Sequence, residues 1–120
     1  MLSDDRIDRL VDRCVDVVGG DLRSIASFTE DAFDQIFLRD YLSAEADIKA
    51  FVDNERDGFT RVPTHERSEL GRYQYTIRVF EHGYLTRAIV DQHGVFVTTN
   101  QVTHETHDEL AATLVQEMST

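Results

Sequence analysis

The sequence predicts an α+β domain of order αββαβββα, a five-stranded antiparallel sheet with helices on both faces. Three observations lead there. Both ends of the chain carry apolar residues at three- and four-residue spacing, the period of a helix with one buried stripe. Residues 73–99 alternate with period two and are broken by two short turn motifs, as in a run of hairpins. Both faces of that run are apolar, so each needs a covering layer.

Taken in order, "SDDRIDRLVDRCVDVVGG" is a helix, with Ile7, Leu10, Val11, Cys14, Val17 and Val18 on one stripe. Ser3 suits the N-cap, Asp4 and Asp5 sit at the positive end of the dipole, and Gly19-Gly20 supplies the stop. "LRSIASFTEDAFDQIFLRDYL" reads either as two short strands or as a strand and a helix through Phe33, Ile36, Phe37 and Tyr41. We prefer two strands, because "FDQIFL" is short, aromatic and β-branched and Glu30-Asp31 stand where a hairpin would turn. "SAEADIKAFVDNERDG" reads as a helix capped by Ser43, with Ala44, Ile48, Phe51 and Val52 on one face, Phe59 as a further candidate, and Gly58 as terminator. "TRVPTHERSELG" holds Pro63, the chain's only proline, and no apolar period, so it reads as a loop.

In "RVFEHGYLTRAIVDQHGVFVTTN" a His82-Gly83 turn pairs Glu81 with Tyr84. On that register Tyr73, Tyr75, Ile77 and Val79 share a core face with Thr86, Ala88 and Val90. The next turn, Asp91 to Gly94, adds Val95, Val97 and Thr99 to it. The opposite face carries Phe80, Leu85, Ile89 and Phe96, with Arg78 directly across from Arg87. Thr106 and Glu109 form a capping box that opens the last helix, with Leu110, Leu114 and Met118 as its stripe.

The 120 residues suit a single domain spanning 1–120. An acidic N-terminus and the lack of a long apolar run predict a soluble, cytoplasmic protein with no membrane partner. Cys14 is the only cysteine, which excludes an internal disulfide and a metal site built on paired thiolates. Its place on the apolar stripe makes it a small core residue rather than a nucleophile.

Charge is the most unusual bulk property. The chain has 23 Asp plus Glu against 12 Lys plus Arg, a net charge of -11. Lys49 is the only lysine, so short carboxylates and few flexible ammonium groups cover the surface. Such a surface repels itself in dilute buffer, whereas molar salt cuts the Debye length to about 3 Å and removes that cost. The composition resembles that of extreme halophile proteins. Without a Lys/Arg cluster to neutralise phosphates, no nucleic-acid partner is expected.

Candidate sites are few, because the chain has no glycine-rich phosphate loop and no nucleophile elbow. Arg78 facing Arg87 is unfavourable unless an anion or carboxylate lies between them. One reading is a ligand site of Arg78, Arg87, Phe80 and Phe96 that takes an anion; the other is neutralisation by an acid of the middle helix, such as Asp53 or Glu55. The second is preferred. His82, His104 and His107 could meet near one end of the sheet, with Glu81 or Glu105 close by. HxxH spacing alone does not make a metal site, so they are read as polar residues of a turn and a helix start. His82 and His93 lie at opposite hairpin ends, and turn chemistry accounts for both. No metal, cofactor or catalytic residue is assigned.

Across residues 3–118, "GGDLRSIASFTED", "FLRDYLS" and "TIRVFEHG" resemble a family of small uncharacterised haloarchaeal proteins with a domain of unknown function. The element order is also similar to that of roadblock/LC7 domains and of profilin-like or GAF-like folds. That resemblance implies dimerisation, scaffolding of signalling proteins or the holding of small ligands, and it brings no catalytic residues. The function expected is a non-catalytic interaction or adaptor module, a homodimer or the partner of another protein. The alternative is an anion sensor with a pocket near Arg78 and Arg87.

Overall fold

The computed structural model describes residues 2–39, 48–65 and 68–119. Helix α1 spans Asp4–Val18 and a single 3-10 turn follows at Gly19–Asp21. Strands β1 (Leu22–Phe28) and β2 (Phe33–Leu38) come next, then helices α2 (Ile48–Glu55) and α3 (Gly58–His65). Strands β3 (Thr76–Phe80), β4 (Gly83–Val90) and β5 (His93–Asn100) lead into α4 (His104–Met118). The strands form one sheet in the order β2-β1-β5-β4-β3, antiparallel throughout.

Both ends follow from local chemistry. The Ser3 hydroxyl accepts from the Arg6 N–H, and Asp4 and Asp5 occupy the first turn of α1. The helix stops at Gly19, whose φ of +56° lies in the region that favours glycine. Thr103, rather than Thr106, caps α4: its hydroxyl accepts from the Thr106 N–H at 3.1 Å. Thr106 is therefore the third helical residue, and the capping box expected there does not form. The β1–β2 hairpin turns at Thr29–Ala32, closed by Thr29 N–H to the Ala32 carbonyl at 2.9 Å.

Two cores sandwich the sheet. On one face Leu10, Cys14 and Val18 of α1 and Leu110, Leu114 and Met118 of α4 pack on Ile25, Ala88, Val95 and Val97. On the other, Ile48 and Val52 of α2 and Phe59 and Val62 of α3 pack on Ala26, Phe28, Leu85, Ile89 and Phe96. The second layer confirms the need read from the two-sided apolar strands, with two corrections. Gly58 opens α3 instead of ending the preceding helix, and α3 occupies part of the segment expected as a loop. Pro63 lies inside α3 and removes one backbone donor. Burial of Phe59 and Val62, three residues apart on one face, outweighs that loss. The Ser43 cap, Ala44 and Tyr41 lie outside the described residues.

The β3–β4 register differs from the expected one. The pairs are Phe80 with Gly83 and Val79 with Tyr84, so the turn is Glu81-His82 and β3 is slid by two residues. Gly83 is needed for packing, because a Cβ there would collide with the Thr99 backbone carbonyl of β5. An even slip preserves the faces but changes every partner. Arg78 consequently lies opposite Leu85, and Arg87 opposite Thr76. The β4–β5 turn is likewise displaced by one residue: Val90 pairs with His93, and Asp91 takes a φ of +56°, a conformation aspartate tolerates.

Candidate functional site

Arg87 projects from interior strand β4 into the layer beneath α2 and α3 and is only 4% exposed. A buried guanidinium needs a counter-charge. Its Nη1 donates to Glu55 Oε1 at 3.1 Å and to the Glu55 carbonyl at 3.2 Å; its Nη2 donates to Thr76 Oγ1 at 2.8 Å. Glu55, at the end of α2, is 0% exposed, and its Oε2 accepts from Arg78 Nε of β3 at 2.6 Å. One carboxylate thus serves two cations on adjacent strands. The Tyr73 hydroxyl adds a bond to the Arg87 carbonyl at 3.2 Å. Glu55 stands where an anion would have stood.

Of the other two residues grouped with the arginines, Phe96 is fully buried in the α2/α3 core. Phe80, at the end of β3, is about half exposed, with its ring edge-on to Phe51 at 6.1 Å. The structure brings Arg78 and Arg87 to one acid without placing them face to face, and it separates the two aromatics by burial. Tyr73 and Thr76, which complete the network, carried no sequence signal beyond strand alternation.

The histidines are dispersed in role. His107 is buried, its Nε2 lying 2.9 Å from Thr86 Oγ1 and its ring edge-on to Tyr84 at 5.3 Å. Burial lowers its pKa; the Asp108 carboxylate opposes that shift and His104 adds to it. His82 and His104 are exposed. His93 sits 3.2 Å from Ser27 Oγ. Among the described residues no group of three or more His, Cys, Asp or Glu side chains is placed to hold a metal. Burial pushes the Cys14 thiol up to about 12, which suits a core residue and not a nucleophile.

The surface feature with most to offer a partner is the outer edge of β3. Ile77 and Val79 were expected in the core, yet they are 40% and 70% exposed, with Tyr75 beside them at 38%. The reason is topological: α1 and α4 roof the central strands, and β3 lies at the sheet margin. The other margin, β2, is less regular and more polar, although Phe33 is 39% exposed there. Its pairing with β1 is irregular at Ile25/Ala26, its exposed side chains include Asp34 and Gln35, and Arg39 closes its end on the Leu22 and Gly19 carbonyls. On β3 the one charge, Arg78, is already paired with Glu55.

The sequence profile of a family described as "Domain of unknown function (DUF7522)" matches residues 8–119. No curated protein matches the chain. Among solved structures the chain is similar to the gliding protein MglB from Thermus thermophilus, with a TM-score of 0.60. The likeness covers 99% of this chain and 94% of that one at 8% sequence identity, so it is a likeness of fold. The five-stranded antiparallel sheet between helical layers is consistent with a roadblock-like fold.

Proposed function

The chain belongs to the DUF7522 family, and we propose that it is a non-catalytic interaction module that pairs with a second copy of itself through β3. The observation that carries this reading is an edge strand whose Ile77 and Val79 are exposed while, among the described residues, no strand pairs with its outer side. An exposed apolar edge is a template for another strand, and natural proteins block such edges unless they use them. Among the described residues both margins are unpaired, and the β3 margin is the more apolar: β2 exposes Asp34 and Gln35 beside Phe33, and its pairing with β1 is bulged. In an antiparallel pairing centred on Arg78, Ile77 of one copy meets Val79 of the other on one face, while the two Arg78 side chains meet on the opposite face, each neutralised by the Glu55 of its own chain. Burying a valine or isoleucine is worth about 1.5–3 kcal/mol, and the new backbone hydrogen bonds add direction.

The Glu55 network supports this role, since it ties Arg78 of β3 and, through Arg87, Thr76 to the inner layer. It also weakens the case for an anion sensor, because both guanidinium groups are engaged by a carboxylate of the same chain. The working place on this reading is a salt-rich cytoplasm, supported by the net charge of -11 and the single lysine. Among the described residues no helix is long and apolar enough to cross a membrane.

The test is sedimentation equilibrium in molar KCl. The wild type should reach a dimer mass with rising concentration, and Val79→Asp should weaken association at least tenfold with its thermal midpoint nearly unchanged. A wild type that stays monomeric at millimolar concentration, or a variant that dimerises equally well, contradicts the proposal.

A further inference from the structure

Beneath the N-terminal part of α2 the sheet floor drops away into a cavity of about 370 Å³. One cross-strand row makes the floor: Leu38 of β2, Ser24 of β1, Thr98 of β5 and Leu85 of β4, each directly opposite the next. The neighbouring row, Ala26–Phe96–Arg87, is filled by the Phe96 ring and the Arg87 side chain. Ser24 and Thr98 put two small side chains where a filled core would carry large ones, and the unfilled volume is the direct result. Ile48 and Phe51 of α2 and Phe80 of β3 supply the walls.

The chemistry of this space is specific. Its walls are apolar, and the Ser24 and Thr98 hydroxyls, hydrogen-bonded to each other, are its central polar feature. Each hydroxyl can make a further bond, so together they can take one hydroxyl or carbonyl oxygen. Charged ligands are disfavoured from two sides. Glu81 stands at the rim, Arg78 is neutralised by Glu55, and the Arg23 guanidinium is held by Asn100 Oδ1 at 3.0 Å. Apolar walls also penalise any ion that cannot be paired inside.

We infer that this cavity is a binding site for a small, uncharged, mainly apolar molecule carrying one hydroxyl or carbonyl group, anchored by Ser24 and Thr98. The volume falls in the range of small-ligand cavities, on the order of 300–1,000 Å³. The inference is independent of self-association through β3, since the floor lies on the α2 face of the sheet and Ile77 and Val79 project from the other.

The experiment is a titration of ¹⁵N-labelled protein in molar KCl with 1-octanol and, separately, with octanoate. The expected result is saturable shifts centred on the Ser24, Leu85 and Thr98 amides, with octanoate at least tenfold weaker. A Ser24→Ala/Thr98→Val variant, which removes both hydroxyls and keeps the shape, should bind octanol at least fivefold more weakly. The inference is overturned by shifts that never saturate, by shifts centred on Ile77 and Val79, by equal binding of octanoate, or by a folded double variant with unchanged affinity.

Discussion

Glu55 and Arg87 form a buried ion pair, Oε1 to Nη1 at 3.1 Å, that fastens the end of α2 to the middle of β4. Truncating the acid strands a buried cation, so Glu55→Ala should lower stability by about 3–5 kcal/mol. Glu55→Gln keeps an acceptor and should cost less. Denaturant titration in molar KCl measures both, and a loss below about 1 kcal/mol for the alanine variant would show that Arg87 does not depend on this partner.

Gly58 lies flat against that pair. A Cβ there would sit 2.6 Å from Arg87 Cζ and 2.5 Å from Ile89 Cδ1, so Gly58→Ala should cost about 1–3 kcal/mol through overpacking. Because the clash is shared between the guanidinium and Ile89, combining it with Arg87→Met should give a non-additive result. Strict additivity in the double-mutant cycle would place the strain elsewhere.

Stability should decline on acidification. Burial holds His107 below its usual value of 6.5, and His93 is depressed first by burial and then by the N-terminal amine and Arg6. A folded state that prefers the neutral ring binds fewer protons than the unfolded chain, so stability is lost as pH falls through the unfolded value. His107→Gln should reduce the slope of stability against pH below about 6.5 without abolishing it, since His93 remains. An unchanged slope in urea midpoints measured across that range speaks against a buried neutral His107.

Salt should stabilise the fold. With a net charge of -11, repulsion among surface carboxylates is strongest in dilute buffer and is screened in molar KCl. Exposed pairs such as Lys49–Asp53, 2.7 Å apart, offset little of it. The thermal midpoint is expected to rise from about 0.1 M to molar KCl; a flat profile would remove the halophile reading.

How much of this was legible follows from the range of the interactions. The α1 stripe, the β1–β2 hairpin and the need for a second helical layer were readable, because each rests on local periodicity or turn chemistry. That an acid of the middle helix neutralises the arginines was readable, but not that it is Glu55 rather than Asp53. The register of β3 was not, because Gly83 looked like a turn residue and its actual constraint, the Thr99 carbonyl, comes from a strand paired on the other side. Ile77 and Val79 looked like core for a similar reason: alternation tells which face a side chain takes, whereas coverage depends on where α4 ends across the sheet. The helix through Pro63 was hidden because tertiary burial of Phe59 and Val62 overrode a local signal against helix.

The most direct test of the central claim is amide hydrogen exchange of residues 76–80, followed from micromolar to millimolar protein in molar KCl. Pairing through β3 predicts protection that appears with concentration in this strand and not in β2, and that is lost in Val79→Asp. Exchange in β3 that stays constant while the mass increases, or protection that appears in β2 instead, would contradict it.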